Sequence, residues 1–265
     1  MKYKIIIIAA MFFIFYGCSA SVIEVGPKRE VNSYSEKLFE VNENDEISIS
    51  CDSGNIEFFN WDRKEVKLEI KKRVTGIWQN NNLDEKLHDF KVELIEEDNK
   101  IYFDVEYTGK DRNSTDKIVD LKIYIPRCVH VLNLDLDRGN VKFHDDLRGI
   151  LNVDINTADI EINKFIGKIN IKGDVGNVRI LNGKLSENSS IIQNIGSINI
   201  KSEFEEGGEY RINTGTGNIE LWAPENSKVS FESVGAIEEN NFKENNYPTK
   251  VRVNSSMGKI SIKKY

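Results

Sequence analysis

One five-residue pattern recurs six times between Gly139 and Leu221 and restricts the fold more than anything else in the chain. The segments are Gly139-Asn-Val-Lys-Phe143, Ala158-Asp-Ile-Glu-Ile162, Gly167-Lys-Ile-Asn-Ile171, Gly176-Asn-Val-Arg-Ile180, Gly196-Ser-Ile-Asn-Ile200 and Gly217-Asn-Ile-Glu-Leu221. Each opens on a small residue, continues with a polar one, and ends with two apolar residues around a single polar position. Apolar residues two apart fall on one face of a strand, with the polar residue on the other. Ile and Val dominate the apolar positions, and β-branched side chains suit a pleated surface. Gly and Asn at the start of a segment fit a tight turn. A helix would need apolar residues three and four apart, which these windows lack.

Successive starts lie 19, 9, 9, 20 and 21 residues apart. Five residues of strand leave about four for each connection, an extended reach of roughly 13 Å that crosses a core about 10 Å thick. The chain is therefore expected to pass between two faces and return after about 18 residues, as one coil of a flattened solenoid. Antiparallel hairpins with four-residue loops fit the same spacing, but the constant direction of the signature favours the coil. The expected fold class is all-β: a stacked-strand, two-faced solenoid with an N-terminal β segment and one short helix.

The chain begins with Met1-Lys-Tyr-Lys4, followed by 12 apolar or aromatic residues from Ile5 to Tyr16, then Gly17-Cys18. A basic start, a short apolar run and small residues describe a secretory signal over residues 1–17. Twelve residues rise only about 18 Å as a helix, short of a bilayer core of about 30 Å. Cys18 after Gly17 resembles a bacterial lipobox, which implies acylation at Cys18 as the new N-terminus. Phe15 stands where that motif usually has Leu, and Tyr16 where it has a small residue. An uncleaved anchor and plain secretion are the alternatives. Residues 18–36 are expected to form a lipidated polar tether, followed by one β domain over 37–265.

The sequence carries 36 basic and 43 acidic residues, a net charge of −7. Loss of Lys2 and Lys4 with the leader makes it −9 (36 − 2 − 43). That balance opposes nucleic acid as a partner, which needs a basic footprint, and opposes non-specific binding to anionic lipids or wall polymers. Apart from Cys18 there are only Cys51 and Cys128, too few for a disulfide-stapled small fold. Cys51 shares the period-two face of Ile47 and Ile49, as a core residue would. A Cys51–Cys128 bridge and two free thiols both agree with the sequence.

Gly54-Asn-Ile-Glu-Phe58 repeats the rung signature 85 residues before Gly139, so an insertion is expected over 76–118. Within it Leu83, Leu87 and Phe90 share one helical face, with Asn82 as N-cap and Asp84 and Glu85 in the first turn. A hairpin is expected from Phe90 to Tyr107 around Glu96-Glu-Asp-Asn99. Pro126 marks a corner, because proline cannot donate to a ladder. Near the C-terminus Gly235-Ala-Ile-Glu-Glu239 loses the second apolar position, as a capping rung would.

Four features together resemble a known family: the Phe39-x-Val41 strand with the Gly54 rung, Lys122-Ile-Tyr-Ile-Pro126, the Gly139 rung, and the glycine rungs to the C-terminus. They are similar to the bacterial "putative adhesin" domain, also called the toastrack or adhesin head-like domain, here across residues 37–265 in lipoprotein form. The resemblance implies a stacked β solenoid, an envelope location and no catalytic residues. It also implies links to adhesion and to envelope-stress signalling.

His88, His130 and His144 lie in separate segments without metal-ligand spacing, and His144-Asp145-Asp146 reads as a solvated turn rather than a cation site. Ser-x-x-Lys at Ser114–Lys117 and Ser256–Lys259 lacks its companion motifs. Trp222 fits corner packing better than a sugar platform. No cofactor or metal is expected. The expectation is a non-enzymatic, lipid-anchored envelope protein that displays a solenoid surface for adhesion, binding or scaffolding, with the membrane and an envelope protein or glycan as partners. An accessory role in envelope-stress sensing is the alternative, and a β-helix polysaccharide lyase or hydrolase a third class.

Overall fold

A computed structural model describes residues 28–42, 45–77, 82–97, 99–110, 116–242 and 246–265. The expected leader, Cys18 and the first part of the tether lie outside the described residues. Strands β1 (Lys28–Glu40), β2 (Glu46–Trp61) and β3 (Glu65–Ile77) precede helix α1 (Leu83–His88). Next come β4 (Phe90–Glu97), β5 (Lys100–Tyr107), β6 (Asp116–Pro126) and β7 (Val131–Val175), an extended run that turns several corners. Short strands follow: β8 (Val178–Ile180), β9 (Gly183–Leu185), β10 (Ser190–Ile195), β11 (Ile198–Lys201) and β12 (Glu203–Phe204). The last four are β13 (Glu209–Thr216), β14 (Ile219–Ala223), β15 (Val229–Asn240) and β16 (Thr249–Lys264).

Apart from the antiparallel pairs β1–β3, β3–β6 and β4–β5, the strands stack in parallel as a solenoid, which settles the choice between coils and hairpins. On the first face β5 pairs with the start of β2, which pairs with the start of β7; further along, the end of β7 pairs with β10, and β10 with β13. On the second face β6, the end of β2 and β7 are neighbours, then β7, β8, β11 and β14. A short third side joins β7, β9 and β12. Register is strict because a one-residue slip would send every inward side chain to solvent. Ile171, Ile191, Ile212 and Val253 thus form one buried column across four strands. Inside the other face Phe58 stacks on Phe143 with ring centroids 4.4 Å apart.

The corner between the faces explains the signature residues. Gly139, Gly176, Gly196, Gly217 and Gly258 all stand there at positive φ, and a Cβ on Gly196 would overlap the Gly176 carbonyl oxygen. The polar residue after each glycine serves the adjacent rung. Ser197 N–H donates to Asn177 Oδ1 at 2.9 Å, and Lys259 N–H to Asn218 Oδ1 at 2.9 Å. Inside the corner, Gln193 Nε2, Thr214 Oγ1 and Ser255 Oγ donate to the carbonyls of Gly176, Gly196 and Gly217. Buried polar side chains are tolerable here because each donates to a carbonyl, although Gln193 Oε1 is left without a partner.

Both ends of the stack are interleaved. β2 lies between the rung of β5 and β6 and the rung of β7, although β5 and β6 follow it in sequence. At the other end β16 lies between β13 and β15 on the first face.

Three expectations need correction. Residues 28–36, assigned to a loose tether, belong to β1, which pairs antiparallel with β3 over its whole length. Its side chains are largely exposed, so backbone pairing rather than burial places it at the edge. The stretch 76–118 is only partly an insertion, because β5 is itself a rung on β2. The helix ends at His88, and Phe90 opens β4 instead; Asn82 occupies the N-cap without a side-chain cap bond. Leu83 is fully buried and Leu87 packs against the core. The hairpin forms as expected, with Glu97 opposite Lys100.

Candidate binding groove

The outward positions of the first face form columns, because the period of two fixes which residues look away from the core. One column runs Tyr102, Ser48 and Asn133, and continues through Asn152 and Asn170. Two residues further along each strand lie Asp104, Ser50, Asp135, Asp154 and Lys172. Together they line a groove of about 650 Å³. Ser48 and Ser50 are the smallest outward residues of the row, so the floor dips there. Ile95 from β4 stands opposite Tyr102 and extends the wall.

The three asparagines form a one-directional amide ladder. Asn170 Nδ2 donates to Asn152 Oδ1 at 2.9 Å, and Asn152 Nδ2 to Asn133 Oδ1 at 2.8 Å. Asn133 Nδ2 in turn donates to Glu46 and to Ser48 Oγ. Asn152 and Asn170 each keep a second N–H, and all three amides keep a lone pair, for another partner, whereas both N–H groups of Asn133 are used. The ladder also fixes which end of each amide is oxygen. Asp135, Asp154 and Lys172 make no side-chain hydrogen bond or ion pair among the described residues, although all three are exposed.

Partial desolvation on the groove floor first, then the charges of Asp154 and Asp137, hold the Asp135 carboxyl above its ordinary range. The folded state binds this proton more tightly than the unfolded chain, so stability is lost as pH rises from the ordinary carboxylate range through the raised one. Asp135→Asn is expected to raise the thermal midpoint at pH 7 and to leave it nearly unchanged at pH 3, where the carboxyl is largely protonated. A midpoint that does not move at pH 7 would count against the crowding.

The residues singled out in the sequence are scattered. Cys51 and Cys128 are both free thiols, so the bridge is not made. Cys51 is buried, and burial pushes its thiol up to about 12; Cys128 is half-buried in the turn after β6. His144 stacks on Phe59 at 4.4 Å, with Nε2 3.8 Å from Glu57 Oε2. Asp145 accepts the Asn60 N–H, and Asp146 accepts from Lys164 Nζ. His88 lies in α1, and the His130 carbonyl accepts from Ile150. Trp222 lies under Lys263 Nζ, 5.0 Å from the ring centroid, a covered corner residue rather than an open platform. Among the described residues no group of three His, Cys, Asp or Glu side chains could hold a metal ion, and no helix is long and apolar enough to cross a membrane.

Sequence reasoning missed the groove because it followed the middle position of the glycine rungs, which lies on the second face in every rung but that of Gly167, whose Asn170 is in the groove. There Glu161 meets Lys142 at 2.9 Å and Glu220 meets Lys263 at 2.6 Å, a paired and solvated surface. The signal for the groove was present as Asn133, Asn152 and Asn170, spaced 19 and 18 residues apart.

The columns and glycine corners define a two-faced parallel β-solenoid with a polar groove on one face. No protein-family model matches the chain, and no curated protein does. Solved structures similar to it include a "putative cell adhesion protein" from Clostridium sporogenes ATCC 15579, 15% identical over 89% of this chain and 100% of that one, with a TM-score of 0.41. A "putative adhesin" from Bacteroides fragilis NCTC 9343 is 16% identical over 88% and 97% of the two chains, with a TM-score of 0.45. Another "putative adhesin", from Parabacteroides merdae ATCC 43184, is 13% identical over 88% and 96%, with a TM-score of 0.39.

Proposed function

We propose that this is a non-catalytic binding protein of the bacterial cell envelope, anchored by a lipid on Cys18, whose first face serves adhesion or scaffolding. The observation that carries the reading is the groove: ladder amides with spare valence, beside carboxylates and an amine not engaged elsewhere in the described residues. Such an array costs little to pre-organise, because the strands beneath it are locked by strand pairing on both sides. A binding site on rigid strands keeps its geometry better than one on loops.

Two measurements test the reading. Cells given an alkyne fatty acid should label the native chain and not Cys18→Ala; equal labelling of both would remove the lipid anchor. Deletion of the gene should lower attachment of the cells to surfaces, and re-expression should restore it. Unchanged attachment with an altered envelope-stress response would favour the sensing role instead.

A further inference from the structure

We propose that the groove on the first face binds a non-acidic glycan chain laid along the solenoid axis, with a sugar ring against Tyr102 and hydroxyls on the Asn133, Asn152 and Asn170 amides. This rests on the binding role proposed above and names its ligand class.

Four observations lead there. The amides repeat at the rung spacing, about 4.8 Å, close to the advance of one pyranose ring along an extended glycan. From Tyr102 to Asn170 the row covers five strands, about 19 Å at that spacing, room for roughly four rings. Asn152 and Asn170 each have one N–H left and all three ladder amides have a free lone pair, and a sugar hydroxyl both donates and accepts. Tyr102 is 37% exposed beside Ile95, which is 44% exposed, so one end of the groove offers an apolar flank of the sort on which the C–H face of a pyranose packs.

Charge excludes one group of ligands. Asp104, Asp135 and Asp154 line the row against Lys172 alone, so uronic acids, sulfated sugars and phosphate polymers would meet net repulsion. Hydroxyls and amines would not. A peptide is the weaker occupant for a structural reason. Extended peptides bind by pairing with a sheet edge, whereas this groove lies on a sheet face where the backbone groups are already used by neighbouring strands.

The test uses the full chain in detergent on an array of neutral, amino-sugar and acidic glycans. The expected result is retention of neutral or amino-sugar chains, including N-acetylglucosamine hexamer or its deacetylated form, and none of polygalacturonate. Tyr102→Ala and Asn152→Ala should each weaken that binding about tenfold, as expected for one lost stacking or hydrogen-bonding contact. Asp154→Asn should strengthen binding of acidic chains, and because it leaves the amide ladder intact it keeps the test valid if Asn152→Ala disturbs the fold. Preference for polygalacturonate, silence on every non-acidic glycan, displacement of the sugar by a lysine decapeptide at lower concentration, or variants that bind like the native protein would each overturn the proposal. Cells whose attachment depends on the protein but ignores the Tyr102 and Asn152 substitutions would reject the groove and spare the binding role. Cells indifferent to the protein itself would reject the role.

Discussion

Gly196→Ala is expected to destabilise the protein by at least about 3 kcal/mol, read as a lower urea midpoint at unchanged slope. Two costs combine. Gly196 sits at φ 146°, where an L-residue is strained, and such a conformation alone costs about 1–3 kcal/mol. A methyl group would also overlap the carbonyl oxygen of Gly176 in the adjacent rung. Relief requires the two rungs to part, which weakens the bond from Gly176 N–H to the Ile195 carbonyl, 2.9 Å long, and the bond from Gln193 Nε2 to the Gly176 carbonyl, also 2.9 Å. Each is worth about 1 kcal/mol. Gly207 is the control: it too has positive φ, at 81°, but a Cβ there meets nothing within 4 Å. Gly207→Ala should cost only about 1–2 kcal/mol, the price of the left-handed conformation by itself. Equal losses at the two sites would mean that rung contact at the corner is not what demands glycine.

Removal of residues 249–265 should have a larger effect still. β16 lies inside the stack, with β13 and β14 on one side and β15 on the other. Its absence strips both neighbours of their hydrogen-bonding partner at once. It also removes Val251, Val253, Ile260 and Ile262, all at most 1% exposed. At about 1.5–3 kcal/mol for each fully buried aliphatic side chain, the loss is about 6–12 kcal/mol, comparable to the whole stability of a typical domain. The shortened chain is expected to be insoluble, or to lose protease resistance across residues 203–240. A soluble shortened chain with its native thermal midpoint would show that β15 can close the stack directly against β13.

How far the sequence discloses this fold depends on the kind of signal each part left. The central rungs are legible because a parallel coil imposes the same demand at every turn. Glycine is needed where backbones approach, a polar residue where the neighbouring N–H needs an acceptor, and Ile or Val where the core closes. Asn177 shows both the strength and the limit of that reading. Its place after Gly176 suggested turn chemistry, while its further duty, accepting from Ser197 N–H at 2.9 Å, depends on a residue 20 positions away. Rung order at the ends is not legible. Gly235-Ala-Ile-Glu-Glu239 and Gly258-Lys-Ile-Ser-Ile262 look like consecutive rungs, yet the later one lies inside the earlier, since nothing local specifies which neighbour a strand pairs with. Residues 28–36 failed for a related reason. Their composition predicts no burial and they have little, but a strand edge needs only backbone partners. The groove escaped notice because its members are polar, outward and separated by whole coils, a pattern that single windows of sequence do not reveal.

All of this depends on parallel coils in fixed register, with Asn133 directly beside Asn152 on the outer surface. The most direct measurement is oxidative cross-linking of the double variant Asn133→Cys, Asn152→Cys, with the bridge located by mass spectrometry of proteolytic fragments. Adjacent parallel strands about 4.8 Å apart bring these Cα atoms within the 4.4–6.8 Å that a disulfide spans. The predicted result is near-complete intrachain bridging of residues 133 and 152 under mild oxidation. If both thiols stay reduced, or if either pairs elsewhere, the coils are not stacked in this register and the groove does not exist.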